Sequence, residues 1–285
     1  MNNKELNELY KNANKVMQQA KPVIDAYNKQ SDKFSKIFQI AIDVYNILSS
    51  VGMSIIENYL KINQKLIEII SDIKLPEFTD DEKNRVIESY QNWGEYGWTI
   101  FPFVKYDFYN SCPDNLIEAD KKVLKECNKH NLSLLFERLN DFELINKKDL
   151  EESIFCFENK KYKSCAMVLY SIIDAKLIKM QKDEDRNPRN HMRATGKNAA
   201  LNIKKRIEKE NNINDTFFLL LSHVNLFSCI DTLFQHGDDF KKEPELANRN
   251  FLDHGMLKKN VRRKDCIKLF LLLYNLMNYL EIVCS

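Results

Sequence analysis

The chain has 285 residues, of which 44% are apolar and 29% charged, and its formal net charge is +2. This length suits one large domain or two ordinary ones, and the composition is that of a globular protein rather than a disordered one. The small net charge excludes a chain that is basic throughout, so any nucleic-acid footprint must be local. Gly and Pro number only six each, which leaves few residues to turn strands and predicts an all-α fold.

The seven cysteines are scattered and form no C-x-x-C pair. This spacing predicts no zinc site, and we expect neither a metal nor a cofactor. The N-terminal stretch "MNNKELNELYKNANK" lacks the apolar core of a signal peptide, so we expect a cytoplasmic protein with reduced thiols. The most apolar window, residues 37–60, is interrupted by Gln39, Asp43, Asn46 and Glu57, which indicates an amphipathic helix and no membrane span.

Residues 1–140 are predicted to be an N-terminal helical region of unknown role. Apolar side chains recur at helical spacing within residues 3–74. Thr79 and Glu82 form a capping box that predicts a helix over about 80–92. The aromatic loop "NWGEYGWTIFPF" follows, and its Trp93, Tyr96 and Trp98 either stack on bases or plug the loop onto the core, the second being the commoner role. Further helices are predicted near 113–128 and 131–140.

The polar stretch "NDFELINKKD" at 140–149 is predicted to be a domain boundary. Beyond it, residues 143–285 contain more apolar helical segments, separated by short polar ones. The last helix, about 262–283, is apolar almost all the way round, which is typical of a helix buried centrally or lying in an oligomer interface.

The stretch "ANRNFLDHG", residues 247–255, is the candidate site. Pro244 suits the first turn of a short helix that runs to about His254, and Gly255 suits a left-handed cap. In such a helix Asn250 and His254 are four apart and share a face, while the long side chain of Arg249 reaches toward them.

Arginine and histidine at one helix end suit RNA cleavage without a metal ion. Arginine binds a phosphate with two hydrogen bonds, and histidine moves protons near neutral pH. The histidine would assist attack by the 2′-hydroxyl or protonate the leaving oxygen, and the arginine would offset charge on the phosphate. The basic run that follows is a candidate for holding the RNA backbone, although such runs are more often solvated loops; it comprises Lys258, Lys259, Arg262, Arg263 and Lys264.

The spacing alone is a weak signal, because the chain contains it twice. "RNPRNH" places Arg186, Asn187 and His191 at the same spacing. Pro188 would obstruct a helix there, so we interpret this copy as a loop without the function.

The second copy and its surroundings resemble a HEPN domain (higher eukaryotes and prokaryotes nucleotide-binding) over residues 143–285. The family's motif is an arginine, a polar residue, three to five further residues and a histidine, which here reads Arg249, Asn250, Phe251, Leu252, Asp253, His254. "NRNFLDHG" followed by an apolar helix is similar to HEPN-type proteins of prophage and mobile-element origin. "YKSCAMVLYSIIDAKLI" resembles an earlier helix of that bundle.

The resemblance implies a metal-independent endoribonuclease that acts as a homodimer through the C-terminal domain, with two motifs facing each other across a cleft. Arg249 and His254 would be catalytic and Asn250 would position them. The products would carry a 2′,3′-cyclic phosphate and a 5′-hydroxyl. Such proteins are commonly toxins of toxin–antitoxin pairs or abortive phage-defence effectors, which implies RNA as substrate and an antitoxin or regulatory protein as partner.

Simpler interpretations remain open for several of these residues. Arg249 and Asp253 are four apart and can form an ordinary ion pair on the helix surface. Asp174, in an apolar helix, either orients a site residue or is a buried structural carboxylate. His223 is expected to be a hydrogen-bonded core histidine and His236 a capping or loop residue. At the level of function, the alternatives are a HEPN-like module that binds nucleotide or RNA without cutting it, and a helical adaptor.

Overall fold

The structure, a computed structural model, describes residues 79–104, 106–187, 190–210, 217–237 and 239–283. Within these ranges the chain forms helices and no strand, so the predicted all-α fold is confirmed. The long helices predicted within residues 3–74 and the amphipathic window at 37–60 lie outside the described residues. No helix in the described ranges combines the length and hydropathy that a bilayer span requires.

The helices are joined by connections of very different lengths. In chain order they are α1 (Asp80–Glu95), α2 (Leu116–Glu126), α3 (Lys129–Asp141), α4 (Lys147–Glu158), α5 (Tyr162–Lys179), α6 (Gly196–Glu210), α7 (Phe217–Leu233), α8 (Arg249–Asp253) and α9 (Arg263–Val283). Two 3₁₀ turns, Tyr106–Tyr109 and Asp183–Asp185, precede α2 and α6.

Polar side chains begin these helices where the sequence indicates. Thr79 and Glu82 form the predicted capping box: the Thr79 backbone N–H donates to Glu82 Oε2 at 2.9 Å, and the Glu82 N–H donates to Thr79 Oγ1 at 3.3 Å. Asn115, Asn128 and Asn146 cap α2, α3 and α4, each accepting a backbone N–H from the first turn. Each cap supplies an acceptor to an N–H group that the helix itself leaves unpaired.

The last helix is the centre of the fold. Residues 265–274 of α9 are all buried, and the helix packs against α3, α5 and α7. Both central burial and an oligomer interface were open from the sequence, and within the described side chains the structure shows central burial. A helix that is apolar all round needs neighbours on every side, and this single chain supplies them.

The aromatic segment after α1 is packed into the core. Trp93 and Trp98 have no exposed surface, while Tyr96 is half-buried. The Trp98 indole donates to Asp120 Oδ1 at 2.9 Å, and the Trp93 indole donates to the Ser111 carbonyl at 3.2 Å. The two tryptophans therefore anchor this segment to the core, as expected, and they are not exposed for base stacking.

The composition change at 140–149 coincides with a connection between two packed helices, α3 and α4. The described residues of 83–104 and 108–283 form one compact unit. Residues 83–104 and 108–140, which the sequence assigns to the N-terminal region, thus lie in the same unit as the described residues after 143. The physical reason is that α3 buries its apolar face on α9, a contact between segments about 130 residues apart that composition cannot reveal.

Candidate functional site

The candidate motif begins with a capped helix that is shorter than predicted. The helix α8 begins at Arg249 rather than at Pro244, and it ends at Asp253. Asn248 is the reason: its Oδ1 accepts the backbone N–H groups of Asn250 at 2.9 Å and Phe251 at 3.3 Å, so the helix starts immediately after it. The sequence expectation of a longer helix is corrected accordingly.

The other end of α8 is closed as expected by a left-handed glycine. His254 is the last residue before Gly255, whose φ is +69°. The N–H of Met256 donates to the Phe251 carbonyl at 2.8 Å, and the N–H of Gly255 to the Leu252 carbonyl at 3.2 Å. This pair of hydrogen bonds is a Schellman motif, and it fixes the direction in which His254 leaves the helix.

Arg249 is held by a carboxylate from a distant helix. Its Nη2 and Nε lie 2.5 and 2.9 Å from Oδ2 of Asp174, a residue of α5 with 8% of its surface exposed. Asp174 is thus a buried, hydrogen-bonded carboxylate, and the group that it holds is a residue of the motif. The second oxygen of Asp174, Oδ1, is buried without a hydrogen-bond partner among the described residues.

Arg249 also contacts its own helix. Its Nε lies 3.1 Å from Asp253 Oδ2, so the simple ion pair four residues apart does form. Its Nη1 donates to Asn250 Oδ1 at 3.2 Å. A guanidinium carries five N–H groups, and these contacts leave one N–H on each Nη nitrogen for another acceptor. Burial raises the pKa of Asp253, Arg249 and His254 lower it, and the nearby charge of Asp174 raises it further.

Asn250 and its neighbours attach the motif to two other helices. The Asn250 side chain donates to the Gln235 carbonyl at 3.0 Å, just beyond α7, and the Asn248 side chain donates to the same carbonyl at 3.1 Å. The Tyr170 hydroxyl on α5 donates to the Ala247 carbonyl at 2.5 Å. Asn250 therefore links Arg249 to the segment just beyond α7.

His254 is exposed at the end of α8. Its ring stands edge-on to Phe240, with centroids 5.5 Å apart, and Phe240 packs in turn on the buried Phe251 at 5.1 Å. Gly237 allows this packing, because a Cβ there would lie 2.0 Å from the Phe251 ring. The imidazole is thus supported on one side and open to solvent.

The residues of the predicted basic run differ in their exposure and in their contacts. Lys258, Arg262 and Arg263 are exposed. The Lys259 ammonium donates to the carbonyls of Pro244 and Glu245, and burial lowers its pKa. Arg263 lies over the Phe157 ring, its guanidinium carbon 5.5 Å from the centroid.

Lys264, the remaining basic residue of the run, lies 2.5 Å from Asp120 Oδ2. Lys259, Arg263 and Lys264 thus contact other parts of the chain. Lys258, Arg262 and Arg263 are the members exposed for an anion.

The other sequence candidates lie elsewhere. "RNPRNH" is irregular over its described residues, and Arg186 pairs with Asp183 at 2.9 Å. His223 is buried, with Nδ1 2.6 Å from the Tyr279 hydroxyl and Nε2 3.1 Å from Glu208, so it is the hydrogen-bonded core histidine that we expected. His236 is exposed in the connection after α7.

Sequence reasoning missed the groups that hold the motif in place. Tyr170 and the Gln235 carbonyl carry no signal in a single sequence, because any residue supplies a carbonyl. The sequence did mark Asp174, because it is a lone carboxylate in the apolar string "YSIIDAKLI". The sequence could not identify Arg249 as its partner. No group of three or more His, Cys, Asp or Glu side chains in the described ranges has the geometry to hold a metal ion.

Comparisons of the whole chain with protein-family models, with curated proteins and with solved structures found no significant match.

Proposed function

We propose that this protein cleaves RNA without a metal ion, using His254 for proton transfer and Arg249 to bind the reacting phosphate. The observation that carries the proposal is the anchoring of Arg249 by the buried Asp174, one helix turn before an exposed histidine. The 2′-hydroxyl would attack the adjacent phosphorus, the 5′-oxygen would leave with a proton, and the products would be a 2′,3′-cyclic phosphate and a 5′-hydroxyl. Asn250 is a positioning residue in this scheme.

Two features of Arg249 support this role. Its side chain is fixed by contacts on three sides, so little conformational entropy is lost when an anion binds. It retains one N–H on each Nη nitrogen, the pair of donors that a phosphate accepts.

The same proposal includes a second copy of the chain. Cleavage by 2′-hydroxyl attack uses one group to accept a proton and another to donate one, and each motif carries one histidine. A homodimer with two motifs at one cleft would supply both, through a surface other than the centrally buried α9. We propose the biological setting as a cytoplasmic toxin or phage-defence effector, restrained by an antitoxin or regulatory partner. Its oligomeric state is measured by light scattering on the purified protein.

The test compares two histidines that precede a glycine. Purified wild type, His254→Ala and His236→Ala are incubated with labelled single-stranded RNA in excess EDTA. We expect wild type and His236→Ala to cleave at similar rates and His254→Ala to lose at least about 100-fold, the usual contribution of a proton-transfer group. Circular dichroism confirms that each variant is folded. Cleavage by folded His254→Ala at the wild-type rate would contradict the proposal, as would the absence of cleavage by wild type.

Binding without cleavage is the second candidate, and one observation favours it. The charge of Arg249 is offset by two carboxylates, those of Asp174 and Asp253, so a phosphate gains less at this site than at an isolated arginine. If the protein binds RNA without cutting it, RNA incubated with the protein in EDTA stays intact. Arg249→Ala should then bind RNA less tightly than wild type. A helical adaptor with no role for the motif predicts that Arg249→Ala leaves both RNA binding and toxicity on expression unchanged.

A further inference from the structure

A basic groove lies away from the motif, between the described residues of the segment 184–195 and the helix α6. Its volume is about 1050 Å³. The cations along it are Arg186 and Arg193 from the segment before α6, and Lys205, Arg206 and Lys209 from α6 itself. Three residues of the "RNPRNH" copy of the motif, Arg186, Asn187 and Asn190, line this groove.

Hydrogen bonds and a buried ion pair hold the segment before α6 in place. Gln181 clamps Ala194, accepting its backbone N–H and donating to its carbonyl, both at 2.8 Å. The buried Arg206 lies 2.8 Å from Asp185 Oδ2 and donates to the Met180 carbonyl at 3.0 Å. These contacts hold Asp185 against α6 and hold Ala194 against Gln181, just beyond the end of α5.

The cations of the groove differ in what they contact. Arg206 is used to hold Asp185. Arg193, Lys205 and Lys209 are exposed, and over the described ranges no hydrogen bond or ion pair engages their side chains. Since Lys205 and Lys209 are four apart on α6, they lie on one face of it.

The net charge of the groove also depends on Arg186 and on one carboxylate. Arg186 pairs with Asp183 through Nη2, while its Nε is buried without a hydrogen-bond partner in the described part of the chain. Because Arg206 neutralises Asp185, Glu184 is the lining carboxylate that opposes the cations. The groove is therefore positive on balance, although the whole chain is nearly neutral.

We infer that this groove binds the sugar–phosphate backbone of single-stranded RNA. Spaced cations with no internal partner favour a chain of phosphates over a single small anion. The exposed amides of Asn190 and Asn198 supply donors and acceptors for bases or 2′-hydroxyl groups, and Met192, 65% exposed, supplies an apolar contact. The choice of RNA as the occupant rests on the proposed function, whereas the polyanion specificity rests on the groove alone.

The test reverses two charges in the groove and two elsewhere. Lys205→Glu/Lys209→Glu changes an exposed pair four apart at the end of α6. Lys121→Glu/Lys125→Glu makes the same change at an exposed pair four apart at the end of α2, outside the groove. Binding of fluorescein-labelled single-stranded RNA is measured by anisotropy between about 50 and 200 mM salt, in the His254→Ala background so that the RNA stays intact.

Losing two phosphate contacts should reduce the slope of log affinity against log salt by about 1.4, since each contact to a single strand contributes about 0.7. Over that salt range the control should therefore lose about sevenfold more affinity than the groove variant. Lys205→Gln/Lys209→Gln, which removes the charges without reversing them, should show the same slope change. Thermal melting checks that all variants are folded.

Equal slopes and affinities for the groove variant and the control would overturn the inference, because binding would then depend only on total charge. The two proposals fail separately. If wild type does not cut RNA in EDTA but the groove variant binds less tightly than the control, the proposed function fails and the groove inference stands. If wild type cuts RNA and both charge variants bind it equally, the cleavage proposal stands and the groove inference fails.

Discussion

The Arg249 guanidinium lies against the carboxylate of Asp174, with Nη2 2.5 Å and Nε 2.9 Å from Oδ2. The two residues are 75 positions apart in sequence, on α8 and α5. This contact joins the short motif helix to a long helix of the core. It gives a charged motif residue a fixed place, and it makes the motif testable through stability as well as through activity.

Asp174→Asn should destabilise the fold and weaken cleavage. The amide keeps the shape but removes the charge, leaving Arg249 with the weaker Asp253 contact. We expect the free energy of unfolding, measured in urea, to fall by about 2 kcal/mol, the scale of a part-buried hydrogen bond to a charged group. If the proposed function is right, RNA cleavage also falls, since Arg249 loses its orientation.

Asp183→Asn is the matched control for that change. Asp183 pairs with Arg186 at 2.9 Å, but its side chain is 91% exposed. Exposed ion pairs contribute little to stability, so this variant should unfold like wild type. Equal losses in the two variants would show that the Asp174 contact contributes no more than a surface pair.

Gly94→Ala should destabilise the protein, although alanine is the better helix former. Gly94 lies in α1, where alanine would ordinarily stabilise a helix by about 1 kcal/mol. Here a Cβ would lie 2.5 Å from the Asn225 carbonyl oxygen and 2.8 Å from Ser228 Cβ on α7. The overpacking cost of about 1–3 kcal/mol should exceed the helix gain. Urea unfolding measures the sign, and Ser171→Ala, at an exposed position of α5, should be neutral or slightly stabilising; a more stable Gly94→Ala would contradict the close approach of α1 to α7.

His223 should make the fold less stable in mild acid. Burial lowers its pKa below the ordinary 6.5, although the contact with Glu208 raises it. Below pH 6.5 the unfolded chain takes up a proton that folded His223 does not, so stability is lost as pH falls from 6.5 toward the folded pKa. The slope from this one group reaches at most about 1.4 kcal/mol per pH unit. Unfolding of wild type and His223→Gln between about pH 7.5 and 5.5 should show a shallower pH dependence in the variant, and identical dependences would contradict this.

The buried pair of Asp120 and Lys268 should show strong coupling. Lys268 Nζ lies 2.8 Å from Asp120 Oδ1 and is 1% exposed. Burial raises the pKa of Asp120, but Lys268 and Lys264 outweigh it and the net pKa is lowered. Asp120→Asn keeps an acceptor for the Trp98 indole but leaves Lys268 buried opposite an amide, a loss of about 3–5 kcal/mol.

The double variant Asp120→Asn/Lys268→Met tests that coupling. Removing the second charge with an apolar side chain of similar length should recover part of the loss. A double-mutant cycle on the free energies of unfolding measures it. Strictly additive effects would show that the two charges do not interact.

Much of the helical architecture followed from the sequence alone. Scarce Gly and Pro indicated an all-α fold, the Thr79–Glu82 box indicated the start of α1, and Gly255 indicated the end of α8. These are local signals: each depends on residues within about one helix turn. The predicted start of α8 was wrong. Pro244 and Asn248 are both local signals for a helix start, and only the structure shows that the helix begins after Asn248.

The tertiary structure decided everything that depends on residues far apart in the chain. It paired Asp174 with Arg249, placed the described part of α9 at the centre of the fold, and packed α3 against α9 across the predicted boundary. It separated the two copies of the motif: one lies on the capped helix α8, and Arg186, Asn187 and Asn190 of the other line a basic groove. Spacing in the sequence is identical for both, and what distinguishes them is the set of helices that fold against each one.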